Sequence, residues 1–583
     1  MNLPFSRFCL TFCLVLALTA SVSAESVQPV RARHAVVVTV RELASQAGVE
    51  VLKSGGNAVD AAVATGFALA VVYPQAGNIG GGGFMLIRMN DGKTHFLDYR
   101  EKAPAAATAD MYLDAQGNVI KNESLVGYKA ISVPGSVAGL VYAEKTYGKL
   151  TLRQVMAPAI RLAREGFPLA SADARDLQKD KHLAEFPESY RIFQRDGKFF
   201  REREILRQPE LASTLERIAR DPDDFYHGKM AQELATAIQK GGGLVTANDL
   251  AHYEVKERNP LHGTYRGYDV IGAPPPSSGG TTLIESLNIL EGYDLAKSGT
   301  RSPEAIHLTL EAFRRAFFDR AEFLGDSDFS PVPVAQLIDK KYGAAWRASI
   351  DPAESSVSKD LKRPAIFSEL QHYASQTAPA HESPDTTHYS IVDSDGNAVS
   401  VTTTLNDIFG SRVTAEGLGF LLNDEMDDFS SKPGAPNLYG LIQGPANAIS
   451  PNKRPLSAMT PTIVLKDGKL FLVLGSPGGS KIITTVANIL MGVIDYGMNI
   501  QEAVNAPRFH NQWLPDVVNV EDDFPVDRIK ALEQMGHHVE KGVTVGSEWI
   551  ARWSDGECIA IDQETGERLG ASDLRNSGKA VGY

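Results

Sequence analysis

The stretch "TTHYSIVDSDGNAVSVTTTLN", from Thr386 to Asn406, places hydroxyl groups where they can do chemistry. A threonine hydroxyl inside a chain is a poor nucleophile. At a chain terminus it gains an α-amino group with a pKa of about 7.7–8.0, which can take up the hydroxyl proton near neutral pH. A threonine that uses its own terminal amine as base is a known nucleophile for acyl transfer. Thr386 is therefore a candidate nucleophile, provided that the chain is cut before it.

A second hydroxyl lies near the first if this stretch folds as a hairpin. Asp395-Gly396 is a strong turn signal between two strand-like runs. A two-residue turn would pair Thr387 with Thr404, whereas a three-residue loop with a left-handed glycine would pair Thr386 with Thr404. The sequence leaves both registers open, because a slip of one residue exchanges the faces of a strand. The alternative is that the threonines only supply β-propensity on an exposed face.

Two further segments carry polar chemistry. The run "LLNDEMDDFS" holds four acidic residues within five positions, which on their own would usually be solvated turn residues. The turn "GSPGGS" at Gly475–Ser480 lies between a predicted strand and an apolar helix, where free backbone N–H groups can bind a carboxylate, a phosphate or a developing oxyanion. It lacks the Walker ending, and "NIGGGGF" at Asn78–Phe84 lacks the dinucleotide spacing. Nucleotide binding is therefore weakly supported.

Length and composition describe an exported globular protein. The chain has 583 residues, 43% hydrophobic and 22% charged, with a dispersed net charge of −13, which argues against nucleic acid or an anionic membrane as a partner. Residues 1–24 resemble a secretory signal peptide, and their apolar run is short for a retained membrane anchor, the alternative. Its removal leaves Cys558 as the one cysteine, so no internal disulfide is predicted. We expect a periplasmic or secreted protein without a stable membrane anchor.

The predicted secondary structure of the chain changes at residues 351–385. Before this stretch, helices and strands alternate; after it, the sequence is rich in strand-forming residues. The stretch itself is polar and proline-containing without a sustained period, which predicts an exposed linker that is open to cutting.

Taken together, these segments resemble the γ-glutamyltranspeptidases. The resemblance covers the whole mature chain and rests on motifs in the family's order: "NAVDAAVA", "PQAGNIGGGGFMLI", "YREKAPA", "PPPSSGG", "TTHYSIVDSDGNAVSVTTTLN", "LLNDEMDDFS", "NKRPLSAMTPTIV", "GSPGGSKIITT" and "GASDLR". It implies an α+β N-terminal nucleophile hydrolase, a four-layer αββα sandwich with two antiparallel sheets between helical layers. It also implies a self-made cut between Asp385 and Thr386. The products are a large subunit, 25–385, and a small subunit, 386–583, that together form one catalytic fold.

The resemblance also assigns roles to single residues. It makes Thr386 the nucleophile, with Thr404 hydrogen-bonded to the new terminus. The other matching positions are Arg100 and Ser457 for the substrate α-carboxylate, Asn406, Glu425 and Asp428 for its α-ammonium, Gly478 and Gly479 for the oxyanion, and Tyr439 as the aromatic residue of a lid. One position departs from the family, because Ala458 stands where a second serine is usual.

The predicted function is cleavage of the γ-glutamyl amide of glutathione and related compounds through a γ-glutamyl ester on Thr386. Water, amino acids or peptides then accept the glutamyl group, and no metal or organic cofactor is required. Two alternatives keep the fold, namely a glutaryl or β-lactam acylase and a poly-γ-glutamate depolymerase. A third is a non-catalytic periplasmic protein that binds γ-glutamyl ligands.

Overall fold

The structure is a computed structural model that describes residues 26–371, 386–432, 444–545, 548–550 and 553–583. The predicted signal peptide at 1–24, Asp385 of the predicted cleavage site and the predicted lid residue Tyr439 lie outside these ranges. Among the described residues, no helix combines the length and apolar character needed to cross a membrane.

The described strands form two large sheets and three small ones. Their bounds are β1 Val30–Ala32, β2 Val36–Thr39, β3 Gly82–Arg88, β4 Thr94–Tyr99, β5 Phe167–Pro168, β6 Ile205–Leu206, β7 Lys256–Arg258, β8 Leu261–Tyr265, β9 Tyr268–Gly272, β10 Thr386–Val392, β11 Ala398–Thr404, β12 Thr462–Lys466, β13 Lys469–Leu474, β14 Phe509–His510, β15 Val518–Val520, β16 Val539–Lys541, β17 Val543–Val545, β18 Glu548–Ile550, β19 Glu557–Ile561, β20 Arg568–Ser572 and β21 Lys579–Gly582.

The described α-helices lie mostly before the nucleophile strand. Their bounds are α1 Glu42–Lys53, α2 Ala58–Val72, α3 Ser136–Tyr147, α4 Leu152–Glu165, α5 Ser171–Lys179, α6 Pro187–Phe193, α7 Pro209–Arg220, α8 Lys229–Lys240, α9 Ala247–Ala251, α10 Gly279–Leu290, α11 Pro303–Phe323, α12 Val334–Leu337, α13 Lys340–Arg347, α14 Lys481–Ile494, α15 Ile500–Asn505 and α16 Val526–Gln534.

Two seven-stranded antiparallel sheets stack face to face. The first has the order β1-β20-β19-β13-β12-β9-β8 and the second β21-β2-β10-β11-β3-β4-β7. One hydrophobic cluster fills the space between the sheets, a second joins the second sheet to helices including α2 and α4, and a third joins the first sheet to helices including α10 and α14. The four layers are therefore αββα, and the predicted fold class is confirmed.

The central hairpin sits between strands from the earlier part of the chain. In the second sheet β10 pairs with β2 and β11 pairs with β3, so both strands have neighbours on each side. Side chains alternate between the faces of a strand, so Ile391 packs toward the helices while Val392 faces the other sheet. Thr386 shares the face of Val392 and therefore points toward the first sheet, where β13 leads into the glycine turn.

The beginning of the predicted linker packs against α11. Within the described part, 351–371, Ser358 and Leu370 are buried. The Arg363 guanidinium forms ion pairs with Asp319 and, at 2.6 Å, with Glu322. The remainder, 372–385, lies outside the described residues.

His388 gives the core a pH-dependent element that can be tested. Its ring is fully buried and shares one hydrogen bond with the hydroxyl of Thr402 and one with the hydroxyl of Ser390. Burial lowers the pKa of His388 to about 3. The unfolded chain binds a proton on this histidine near pH 6.5, so its contribution to stability is complete above pH 6.5 and declines as the pH falls toward 3.

We therefore expect the stability advantage of the wild type over His388→Gln to shrink by about 2–3 kcal/mol between pH 7 and pH 4.5. In a protein of this length that corresponds to roughly 2–3 °C in Tm. Calorimetry of both proteins across this range measures the gap, and a gap that does not vary with pH would show that the pKa of His388 is the same in the folded and unfolded states.

Candidate active site

The hairpin register brings the two threonine hydroxyls together. Thr386 lies opposite Thr404, and Gly396 in the turn has a φ of +86°, so the three-residue loop is the one adopted. The Oγ1 atoms of the two threonines are 3.5 Å apart, and both residues are buried. Asn406 donates its backbone N–H to Thr404 Oγ1 at 2.8 Å, which fixes the second hydroxyl. The exposed-face alternative for these threonines is therefore wrong.

Arg100 follows β4 and points at two of the acids in "LLNDEMDDFS". Its Nη1 and Nη2 donate to the carboxylates of Glu425 and Asp428, respectively, in a 3₁₀ turn at Glu425–Asp428. Nη2 also donates to the carbonyl of Leu456 at 3.1 Å, and the arginine is fully buried. These acids are thus buried partners of a single cation and not solvated turn residues.

The charge on Arg100 is secured by its surroundings. Burial lowers the pKa of the guanidinium, but the charges of Glu425, Asp428 and Glu101 outweigh burial and hold that pKa above its usual range. Glu101 is a further buried acid, 3.5 Å from Arg100 Nη1, and burial raises its pKa to about 7. Sequence reasoning missed Glu101, although an acid directly after the arginine in "YREKAPA" was a signal for it.

Asn406 is held in place by another acid that sequence reasoning did not single out. The residue has a φ of +82°, a left-handed conformation that asparagine tolerates better than most residues. Its Nδ2 donates to the backbone carbonyl of Asp424 at 3.1 Å and to the Asp424 carboxylate at 3.2 Å. Asp424 is fully buried, so the acidic run positions the asparagine as well as the arginine.

The glycine turn exposes backbone donors between β13 and α14. Gly478 has a φ of +125° and Gly479 a φ of +57°, both in the region that favours glycine. A Cβ at Gly478 would lie 2.4 Å from Ser554 Oγ, which also excludes larger residues. Within the described ranges, the N–H groups of Gly478 and Gly479 have no hydrogen-bond acceptor. They are free to hold a developing oxyanion.

Most of the predicted site residues line one small pocket. Its lining consists of Arg100, Thr386, Thr404, Asn406, Glu425, Asp428, Ser457, Ala458, Met459, Gly479 and Ile482. Gly478 adjoins it through the turn, whereas Asp385 and Tyr439 are not described. Sequence reasoning missed the apolar wall of Met459 and Ile482. Met459 ends the segment "PLSAM" and Ile482 ends "GGSKI", so their position directly beside predicted site residues was the available signal.

This arrangement can recognise a zwitterion and transfer an acyl group. A buried guanidinium beside two carboxylates offers partners for an α-carboxylate and an α-ammonium together. The paired hydroxyls can supply a nucleophile, and the glycine N–H groups can stabilise a developing negative charge. Among the described residues, no group of three or more His, Cys, Asp or Glu side chains is arranged to hold a metal ion.

Two antiparallel sheets stacked between helical layers are the architecture of the N-terminal nucleophile hydrolases. Comparisons with known proteins agree. The family model described as gamma-glutamyltranspeptidase matches residues 44–583. A glutathione hydrolase proenzyme of Pseudomonas sp. (strain A14) is 49% identical over 601 residues and covers 100% of both chains.

Two solved structures add to this. The γ-glutamyltranspeptidase of Helicobacter pylori is 44% identical, with a TM-score of 0.55 over 55% of this chain and 93% of its own. A cephalosporin acylase of Bacillus halodurans is 28% identical, with a TM-score of 0.80 over 98% of this chain and 99% of its own. The chain belongs to the γ-glutamyltranspeptidase family, as its motifs predicted, and it is an enzyme.

Proposed function

We propose that this chain is a self-cleaving γ-glutamyl hydrolase and transferase that acts on glutathione and related γ-glutamyl compounds. The family and the curated relative named glutathione hydrolase proenzyme support this function. The observation that carries it is the pocket in which Arg100, Glu425 and Asp428 lie with the Thr386–Thr404 pair. A γ-glutamyl group has a zwitterionic head at one end and the scissile carbonyl at the other, and the pocket has a match for each.

Maturation is proposed to cut the precursor between Asp385 and Thr386, giving the subunits 25–385 and 386–583. The word proenzyme in the relative's name is in keeping with a precursor that is split. Strands from both proposed subunits alternate in the second sheet, where β10 and β11 lie between β2 and β3. Separating the subunits would break these ladders, so the two pieces stay associated as one catalytic unit.

Binding of the donor would replace the ion pairs between Arg100 and the two acids by ion pairs with the donor itself. In the described chain Arg100 is paired with Glu425 and Asp428. The α-carboxylate of a donor would bind the guanidinium of Arg100 and the hydroxyl of Ser457. Its α-ammonium would bind the two carboxylates and Asn406. Because a zwitterion brings one charge of each sign, the buried site keeps its net charge when the donor enters. A ligand with the carboxylate alone would leave the acids unpaired at a cost.

The chemistry is acyl transfer in two steps. The α-amine of Thr386 takes the hydroxyl proton as Oγ1 attacks the γ-carbonyl carbon, and the N–H groups of Gly478 and Gly479 hold the oxyanion. Collapse breaks the carbon–nitrogen bond, and the terminal ammonium returns the proton to the departing amine. Water, or the amine of an amino acid or peptide, then attacks the γ-glutamyl ester and regenerates Thr386. Thr404 orients the nucleophile, and no step requires a metal or organic cofactor.

Two proposals concern parts of the chain outside the described residues. The sequence of residues 1–24 supports export to the periplasm or the extracellular space. Tyr439 is proposed as the aromatic residue of a lid over the pocket, on the strength of the segment "KPGAPNLYG". Neither proposal alters the assignment of the donor.

A same-fold acylase is the second candidate, and two observations favour it. The similarity to a cephalosporin acylase extends over 98% of this chain. In addition, Ala458 lines the pocket in place of the family's second serine, so one expected donor to the α-carboxylate is missing. A poly-γ-glutamate depolymerase would share the acyl pocket and differ in the length of its substrate. Glu425 and Asp428 speak for the glutamyl donor, because a glutaryl group has no ammonium for them to bind.

The proposed function can be tested with a matched pair of substrates. γ-Glutamyl-p-nitroanilide and glutaryl-p-nitroanilide differ by the α-ammonium alone, and hydrogen bonds to a charged group contribute about 1.5–3 kcal/mol each. We expect the purified protein to run as two fragments on a denaturing gel and to prefer the glutamyl substrate by at least about 100-fold in kcat/KM. A preference for the glutaryl substrate would establish the acylase, and a single uncut, inactive band would remove the proposed function.

Ala458 provides a prediction about donor affinity. A hydroxyl at this wall of the pocket would give the α-carboxylate one more donor, so Ala458→Ser should lower KM for glutathione about tenfold. The carboxylate is remote from the scissile amide, so kcat should stay nearly constant. Steady-state kinetics of this variant, with Ser457→Ala as the opposite change, measure the effect. An unchanged or raised KM in Ala458→Ser would argue against a glutamyl donor.

A further inference from the structure

Lys481 is a cation without a described partner beside the glycine turn. It is the first residue of α14, two positions after Gly479, and it is half-buried. No acidic side chain in the described part of the chain forms an ion pair with it. A helix N-terminus carries partial positive charge, so a lysine there is unfavourable unless an anion compensates it.

Neutral side chains lie near Lys481. Its Nζ lies 5.8 Å from the centre of the Trp553 ring, and the neighbouring Ser480 hydroxyl is bonded to the Gln512 amide at 2.6 Å. His510 bonds the same amide at 2.9 Å, and burial together with the charge of Lys481 lowers its pKa to about 3, so it is uncharged at neutral pH. Burial also lowers the pKa of Lys481 to about 8, and it therefore remains mostly protonated at pH 7.

Ser554 is a second and independent sign of a missing ligand. Its side chain is 1% exposed, and its Oγ has no hydrogen-bond partner among the described residues. This Oγ lies against the turn, since a Cβ at Gly478 would be 2.4 Å from it. A buried hydroxyl that bonds nothing costs free energy, so a ligand atom that pairs with it would be stabilising. Ser554 also directly follows Trp553, the residue on which Lys481 packs.

We infer that Lys481 and Ser554 bind the C-terminal carboxylate of the peptide that leaves the donor and of the peptide or amino acid that accepts the glutamyl group. Both residues adjoin the proposed oxyanion glycines and lie outside the lining of the acyl pocket. A dipeptide leaving group spans about 7 Å, so its carboxylate lies well away from the scissile bond and outside the acyl pocket. An acceptor amine attacks along the path by which the first amine left, so one subsite would serve both. This inference rests on the proposed function.

The test compares two acceptors that differ in one charge. Transfer from γ-glutamyl-p-nitroanilide is measured with glycylglycine and with glycylglycine amide, for wild type, Lys481→Met, Lys481→Arg and Ser554→Ala. We expect Lys481→Met to raise KM for glycylglycine about tenfold and that for the amide less than twofold, because only the acid has the charged partner. Lys481→Arg should restore most of the affinity for the acid. Ser554→Ala should show the same preference with a smaller change.

Lys466 provides the matched control, because its Nζ lies over the Tyr268 ring at 5.6 Å but far from the glycine turn along the sheet. Lys466→Met should leave both acceptors unaffected. Equal losses for acid and amide in Lys481→Met, or no loss for either, would overturn the inference.

The wild type alone supplies a test that needs no variant to fold. It should favour glycylglycine over its amide at least tenfold in KM, and an enzyme that does not distinguish them has no carboxylate subsite. The proposed function fails separately, if the wild type is uncut or does not release p-nitroaniline. An active wild type that ignores the carboxylate would refute the subsite only.

Discussion

Thr386→Ala should give an uncut chain with no measurable turnover of γ-glutamyl-p-nitroanilide. Alanine has no hydroxyl, so it can neither attack the preceding peptide bond during maturation nor form the γ-glutamyl ester afterwards. Loss of a nucleophile typically lowers kcat by about 10⁶-fold, which places the variant at the detection limit. A denaturing gel and the release of p-nitroaniline measure the two consequences separately.

The neighbouring positions provide the controls. Thr386→Ser keeps a hydroxyl and should still cut and turn over, more slowly. Thr387 points to the opposite face of β10, is fully buried, and its Oγ1 has no described partner. Thr387→Val, which keeps the shape, should therefore mature and react as the wild type does. Two subunits in Thr386→Ala would contradict self-cleavage by this threonine.

The fold class was predicted from the resemblance to the γ-glutamyltranspeptidases, whereas the hairpin at the centre of the second sheet was predicted from local signals. Asp395-Gly396 and the alternating residues around it specify a hairpin, and Asn57 with Asp60 forms the capping box that starts α2. The register was not predictable, since two loop lengths suit the same turn residues. The structure decides it through β2 and β3, which lie far away in the sequence and pair with both strands of the hairpin.

The inner arrangement of the candidate site depends on contacts that no local pattern encodes. The acids of "LLNDEMDDFS" match solvated turn residues until Arg100, more than 300 positions earlier, is brought against them. Glu101 and Asp424 went unnoticed for the same reason, since a buried carboxylate and an exposed one have the same letter in a sequence. Lys481 had no signal of its own. What distinguishes Lys481 in the structure is that no described acidic side chain forms an ion pair with it.

Arg100→Lys should lower kcat/KM for γ-glutamyl-p-nitroanilide by about 10²–10³-fold. The guanidinium presents several N–H groups in one plane, so it can hold a donor carboxylate in a bidentate manner while staying near Glu425 and Asp428. Lysine keeps the charge but offers a single nitrogen, and the loss of two hydrogen bonds to charged groups corresponds to about 3–4 kcal/mol. The loss should fall mainly on KM, because the head of the donor lies away from the scissile bond.

Arg41→Lys separates this effect from a general loss of stability. Arg41 is also buried and paired with a carboxylate, that of Asp173, but it does not line the pocket. Both variants remove a planar buried donor and should lower Tm, whereas only Arg100→Lys should weaken donor binding. If Arg100→Lys bound the donor as well as the wild type does, the guanidinium would be serving only to neutralise Glu425 and Asp428. The α-carboxylate would then have to be held by Ser457 and backbone N–H groups, and the recognition of a zwitterion would no longer distinguish this enzyme from an acylase.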